Sequence, residues 1–203
     1  MTDGTADGRH LQRDGGMALM AGAVASIILM MNHPSGAHGG PLGGIVHGGM
    51  MLALSAIMFG FVAFALGRGA RTPLIIGLIA AAVSLAAHIA AATINGFTVP
   101  VMAGWHGGTP GHDVFLLAWL LNQALAQIGV FATGIAYLCW AIDLRRDQPI
   151  LAAAAAVAGV VPAALLATGV IKLDVHGALL AYGLHGLWAL ALGVKMFRAS
   201  RNG

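Results

Sequence analysis

Long apolar segments alternate with short polar connections along the whole chain. A helix needs about 20 apolar residues to cross a membrane, with a range of roughly 17 to 25. Six segments approach or exceed this length, at about residues 15–32, 45–67, 73–95, 113–142, 149–171 and 175–197. The pattern predicts an all-α, polytopic membrane protein whose six transmembrane helices form one bundle over residues 16–198.

The two ends of the chain are polar. Residues 1–15 predict a mobile N-terminal tail, and residues 199–203 a short C-terminal tail. The first apolar segment is short enough to resemble the core of a signal peptide, but no Ala-x-Ala-like cleavage site follows it. We therefore expect it to remain in the protein as the first transmembrane helix.

The composition supports this class of protein. Hydrophobic residues make up 59% of the chain and charged residues only 8%, whereas a soluble domain carries roughly 25% charged residues. Since the chain leaves no room for a large soluble domain, we expect neither a nucleic acid nor a nucleotide as a partner. The single cysteine, Cys139, excludes an intrachain disulfide and a Cys-x-x-Cys metal site.

Basic residues are distributed unevenly between the two sides of the predicted bundle. The connections at 68–72 and 143–148 are short and basic, whereas those at 33–44 and 96–112 are longer, rich in Gly and Pro, and almost uncharged. Of the ten Lys and Arg residues, only Lys172 falls on the second side. Because Lys and Arg accumulate in cytoplasmic loops, we expect both termini in the cytoplasm of a bacterial-type cell and the His-rich loops on the periplasmic side of its inner membrane.

Eight of the nine histidines fall in the periplasmic half of this arrangement. Three of them begin the helices that run inward, and two of these three stand in a Val-His-Gly sequence. The only carboxylates on this face lie within two residues of such a histidine. This predicted rim consists of His47, His112, His176, Asp113 and Asp174, with His33, His38 and His106 available from the loops.

A second layer of polar residues is expected deeper in the bundle. At a rise of about 1.5 Å per residue, His88 and His185 lie roughly 10 and 13 Å below the ends of their helices. Asn122 and Gln123 lie somewhat deeper on the fourth segment. Polar residues at this depth usually face the bundle interior and have a partner there.

These residues are candidate ligands because imidazole binds Zn, Cu, Fe and Ni, and two axial histidines can also hold haem. The predicted metal ligands are His47, His88, His112, His176, His185, Asp113 and Asp174. The predicted cofactor-binding residues are His88, His185, Asn122 and Gln123. Haem b and an ion of Cu, Fe or Zn remain equal candidates. Methionines beside the first His-rich loop, such as Met50, would suit Cu(I).

Three functions are compatible with these features. The first is a membrane metal- or haem-binding protein that carries out electron transfer or small-molecule redox chemistry, with a periplasmic redox partner. The second is a carrier or assembly factor for a transition metal of the copper or zinc type. The third is an accessory subunit of a larger membrane complex, in which the histidines only make hydrogen bonds. In all three the lipid bilayer surrounds the bundle.

Overall fold

The computed structural model describes residues 4–33, 40–104 and 111–202, and within these ranges the chain is helical with no β-strand. These ranges contain seven α-helices and one π-helical segment, which lies between α3 and α4. They are α1 (Gly4–Met31), α2 (Gly40–Gly67), α3 (Thr72–Thr93), the π-helical segment (Ile94–Thr98), α4 (Val99–Ala103), α5 (His112–Leu144), α6 (Pro149–Ala167) and α7 (Val175–Asn202).

Within the described ranges, six helices are long and apolar enough to cross a membrane. The predicted all-α class with six such helices is confirmed. The helices extend further than predicted, however. Helix α1 begins at Gly4, inside the expected tail, and the third helix continues through the π-helical segment and α4 to Ala103. Near the N terminus, Gln12 donates a hydrogen bond of 3.0 Å to the carbonyl of Ala63. This bond joins the polar first part of α1 to α2.

The outward surface of the bundle is apolar. Leu52, Ile79, Ile135 and Leu187 are each more than half exposed, although they lie in the middle of four different helices. A soluble protein rarely exposes so continuous an apolar surface, because it would promote aggregation. The arrangement is compatible with an integral membrane protein.

The six long helices form a closed ring. Helix α1 packs between α2 and α7, and α5 packs between α3 and α6. The two groups of three meet where α2 contacts α3 and where α6 contacts α7. Each long helix in the ring therefore has two neighbours.

Glycines set the closest helix contacts. A Cβ built on Gly16 of α1 would lie 2.8 Å from the carbonyl oxygen of Gly193 on α7, and the reverse distance is also 2.8 Å. Gly134 of α5 and Gly159 of α6 face each other in the same reciprocal way at 2.9 Å. Only a residue without a side chain allows two helix backbones to approach this closely.

Four aromatic side chains, Phe61, Tyr137, Trp140 and Trp188, fill the middle of the ring, and we call them the aromatic cluster. The two indole rings stack with centroids 5.7 Å apart and planes 11° apart. Both indole nitrogens donate to backbone carbonyls, at 3.5 Å for Trp140 and 3.0 Å for Trp188. The aromatic cluster fills the space between the helices on one side of the polar residues described below.

An ion-pair network joins two turns at the end of the bundle that we call the Arg-rich end. The buried carboxylate of Asp143 accepts from Arg68 Nε at 2.6 Å and from Arg71 Nη2 at 3.0 Å. Arg68 also binds both carboxylate oxygens of Asp147. Partial burial lowers the pKa of Arg68, but its bonds to Asp147 and Asp143 outweigh this effect and raise the pKa above its ordinary value. The same guanidinium holds the pKa of Asp147 below its usual range.

We predict that Asp143→Ala lowers the free energy of unfolding by about 3–5 kcal/mol, because it leaves two guanidinium groups without their shared buried partner. Asp14→Ala is the matched control, since Asp14 is half exposed and pairs with its neighbour Arg13. Its effect should stay below about 1 kcal/mol. Reversible unfolding of the detergent-solubilised protein measures both values, and equal losses in the two variants would contradict the prediction.

Candidate functional site

A cavity of about 600 Å³, which we call the large cavity, lies at the end of the bundle opposite the Arg-rich end. We call that end the His-rich end. Its walls come from α2, α3, α5 and α7 and from the segment that follows α3. The polar side chains that line it are His33, His47, His88, Asn95, His112, Asn122, Gln123, Asp174 and Tyr182. Most of the predicted site residues thus share one space.

Two histidines in this cavity contact each other directly. The Nε2 atoms of His33 and His47 lie 3.1 Å apart. The other ring nitrogen of His47, Nδ1, lies 2.7 Å from the carbonyl oxygen of Gly43, one turn earlier in α2. A carbonyl only accepts hydrogen bonds, so the network assigns the proton of neutral His47 to Nδ1. Its Nε2 therefore carries the lone pair that accepts the hydrogen bond from the Nε2–H of His33.

The π-helical segment holds the ring of His47 in place. A Cβ on Gly96 would lie 2.5 Å from the Cβ of His47 and 3.3 Å from its Nδ1. Since no side chain fits there, the backbone of the segment packs directly against the histidine. Short π-helical turns within α-helices occur frequently at functional sites, and this one forms part of the cavity wall.

The two predicted amides line the large cavity but bind backbone carbonyls. Asn122 donates to the carbonyl of Ala91 at 2.8 Å. Gln123 donates to the carbonyl of Leu173 at 3.3 Å. These bonds join α5 to α3 and to the turn before α7, so both side chains hold the cavity walls together.

The predicted rim residues are divided by the structure. His112 and Asp174 line the large cavity, whereas His176 and Asp113 are exposed and line neither cavity of this region. Asp174 also accepts a hydrogen bond of 2.9 Å from the backbone N–H of Gly177. That contact satisfies one of the free N–H groups at the start of α7, which gives Asp174 a capping role.

The predicted metal ligands do not all converge on one point. In residues 4–33, 40–104 and 111–202, no three side chains of His, Cys, Asp or Glu lie close enough together to hold a metal ion. His38 and His106 fall outside these ranges. Among these candidates, His33 and His47 have ring nitrogens that contact each other.

A second cavity of about 70 Å³, which we call the small cavity, lies next to the large one and against the aromatic cluster. His88 and His185 both line it, as predicted for residues at a similar depth. Four side chains line both cavities and so form the boundary between them. These are Met50, Leu54, His88 and Tyr182.

His88 is fixed by a hydroxyl network. Its Nδ1 lies 3.2 Å from the hydroxyl of Ser84, which is 2.7 Å from the hydroxyl of Thr133. Both hydroxyls lie within 3.0 Å of the carbonyl oxygen of Gly129. The Nε2 edge of His88 packs onto Gly129 at the place where a Cβ would overlap it. The network and this glycine hold the ring between α3 and α5.

His185 is buried beside the aromatic cluster. Its ring meets the ring of Tyr137 edge to face at 5.3 Å, and the hydroxyl of Tyr137 donates to the backbone carbonyl of His185 at 2.9 Å. The Nε2 atoms of His88 and His185 are the buried side-chain nitrogens or oxygens without a hydrogen-bond partner in the described part of the chain. Such a group costs about 1–3 kcal/mol when it is left unpaired.

Three features of this region were not predicted from the sequence. His33 was expected only to be available from a loop, because nothing in the sequence indicates that the end of α1 brings it to His47. The support of His88 by Thr133 depends on the packing of α3 against α5. The contact from Ser84 could have been found, since Ser84 precedes His88 by four residues and shares its helix face.

No family model, no curated protein and no solved structure matches this chain.

We predict that Gly129→Ala destabilises the protein by about 1–3 kcal/mol, because the added methyl group overlaps the ring of His88. Gly183→Ala on α7 is the control. A Cβ there meets no atom within 4 Å, and alanine favours a helix over glycine by about 0.5–1 kcal/mol. The free energy of unfolding in detergent should therefore be higher for Gly183→Ala and lower for Gly129→Ala than for the unsubstituted protein. The reverse order would show that His88 does not pack as described.

Proposed function

We propose that this chain is an integral membrane protein that binds a transition-metal ion in the large cavity, with the Nε2 atoms of His33 and His47 as its first two ligands. The observation that carries the proposal is the 3.1 Å separation of these two nitrogens. Zinc binds imidazole nitrogen at about 2.0–2.1 Å in tetrahedral sites, which places two ligand nitrogens about 3.3 Å apart. A small movement of either ring would admit the ion.

The hydrogen bond to Gly43 supports this role for His47. A metal-binding histidine normally donates its second ring N–H to a carbonyl or carboxylate, which fixes the ring and leaves the ligating nitrogen unprotonated. His47 has this arrangement. Zn, Cu, Fe and Ni all accept imidazole ligands, and His112 and Asp174 line the same cavity as candidates for further positions.

The size of the small cavity favours an ion over haem at His88 and His185. A cavity of about 70 Å³ has room for a few water molecules, and a porphyrin between the two rings would have to separate the helices. Haem b therefore has less support here than a metal ion.

The membrane arrangement follows from the charges. We propose that the Arg-rich end and both termini lie in the cytoplasm of a bacterial-type cell. The His-rich end then faces the periplasm, where the large cavity would receive an ion or a redox partner. Lipid would cover the apolar outer surface of the ring.

Two uses of a bound ion fit this cavity. One is a redox centre that exchanges an electron with a periplasmic partner. The other is carriage or assembly, in which the ion is held and passed on. The contact between the two cavities favours carriage, because His185 lines the small cavity directly beyond the wall that the two cavities share.

We predict that the protein purified in detergent retains close to one equivalent of a transition metal, and that His47→Ala removes most of it. Loss of a residue that only supports a metal ligand already costs roughly 10- to 100-fold in affinity, so loss of the ligand itself should cost at least as much. Elemental analysis after gel filtration measures the retained metal.

His10→Ala is the control for that experiment. His10 lies in the first part of α1, at the Arg-rich end, and is exposed, so its loss should leave the metal content unchanged. Equal metal content in His47→Ala and the unsubstituted protein would reject the proposal. It would favour the accessory-subunit interpretation, in which the histidines only make hydrogen bonds.

The proposed orientation predicts the behaviour of reporter fusions. Alkaline phosphatase fused after Asn202 should be inactive, and a fluorescent protein at the same position should fluoresce, because both would lie in the cytoplasm. Fusions that end the chain at Gly104, at the His-rich end, should behave in the opposite way. The inverse pattern would place the large cavity on the cytoplasmic side.

A further inference from the structure

We infer that the small cavity is a second metal site that selects Cu(I), with His185 Nε2 and the thioether sulfurs of Met58 and Met50 as its donors. The inference rests on the proposed function only for the route by which the ion arrives. Its own evidence is the set of side chains that line the cavity and the unpaired nitrogen of His185.

The donors of the small cavity are soft. Met50 and Met58 lie two turns apart on α2 and both line it, whereas the neighbouring Met51 lines neither cavity. Thioether and imidazole donors together suit Cu(I), which prefers soft ligands. Zn²⁺ and Fe²⁺ would lack the anionic ligands that they commonly use, because the oxygen donors in the lining are neutral hydroxyl groups.

The charge of the cavity points in the same direction. None of its lining side chains is Asp, Glu, Lys or Arg, and most are apolar. An uncompensated charge in such surroundings is expensive. A monovalent ion that sheds its water for soft donors is therefore less costly here than a divalent ion.

His185 provides the fixed donor. The residue is only 7% exposed, and its Nε2 has no hydrogen-bond partner. The ring of Tyr137 packs edge to face against the ring of His185, and the hydroxyl of Tyr137 donates a hydrogen bond to the backbone carbonyl of His185. His88 is different, because Ser84 holds its Nδ1 and Gly129 covers its Nε2 edge. We therefore assign His88 to the wall of the site and not to its ligands.

Met50 connects this site with the large cavity. It lines both spaces, together with Leu54, His88 and Tyr182. An ion released by His33 and His47 could be taken by the sulfur of Met50 without crossing an apolar barrier. The transfer involves only ligand exchange, so the ion keeps its oxidation state and no electron acceptor is required.

The test uses the full chain in detergent, titrated with Cu(I) alone under reducing conditions against a chromogenic Cu(I) chelator. We expect two bound Cu(I) per chain in the unsubstituted protein. The double variant His33→Ala/His47→Ala should keep one Cu(I), and X-ray absorption of that remaining copper should show sulfur as well as nitrogen ligands.

Single substitutions then assign the second site. In the His33→Ala/His47→Ala background, Met58→Leu should lower the affinity for the remaining Cu(I) by at least roughly 10-fold. That is the lower bound for loss of a residue that only supports a metal ligand. Met51→Leu is the matched control on the same helix and should have no effect. Zn²⁺ should not compete for this site in either variant.

The outcomes separate the two proposals. If the double variant binds no Cu(I), while the unsubstituted protein binds one metal ion, the large-cavity site stands and the second site is rejected. If copper remains but its ligands are only nitrogen and oxygen, or if Met51→Leu weakens it as much as Met58→Leu, the assignment of the sulfur donors is wrong. If neither protein binds any metal, both proposals fail.

Discussion

Polar side chains in this chain find hydrogen-bond partners mainly inside the bundle, because the helices present apolar side chains outward. In a lipid environment no water reaches the hydrocarbon region, so each polar side chain there needs a partner within the bundle. The buried residues follow this requirement closely. Asn122 and Tyr137 each bind a backbone carbonyl of another helix, and Asp143 is shared by two guanidinium groups. The exceptions are the Nε2 atoms of His88 and His185, and both belong to side chains that line the small cavity.

The two ends of the bundle use their polar residues differently. At the Arg-rich end, Arg68 and Arg71 close a compact ion-pair network with Asp143 that ties the α2–α3 turn to the end of α5. At the His-rich end, the polar side chains line a large space and bind one another or backbone carbonyls across it. The aromatic cluster lies between the ends, and the close contacts between glycines hold α1 against α7 and α5 against α6. One end is thus built for stability, and the other leaves donors directed into a cavity.

The sequence identified the candidate residues better than it identified their partners. It placed His88 and His185 at one depth, and both line the small cavity. It also grouped His47, His112 and His176 by their place at the start of a helix. Their environments differ, however, because His47 is buried against Gly96 and beside His33, whereas His176 is exposed. The shared Val-His-Gly sequence does not fix the position along a helix, since His47 is the eighth residue of α2 and His176 is the second residue of α7.

Apolar length and the uneven distribution of Lys and Arg determined from sequence alone that the chain forms six membrane-length helices with its histidines gathered near one end. These properties are local, since they depend on the composition of each segment and on the alternation of its direction. The tertiary structure decided which histidines meet. The pairing of His33 with His47, the support of His88 by Thr133 and the sharing of Met50 by two cavities all require contacts between different helices. Two of those contacts depend on a glycine from another segment, Gly96 beside His47 and Gly129 beside His88, and no single segment contains that information.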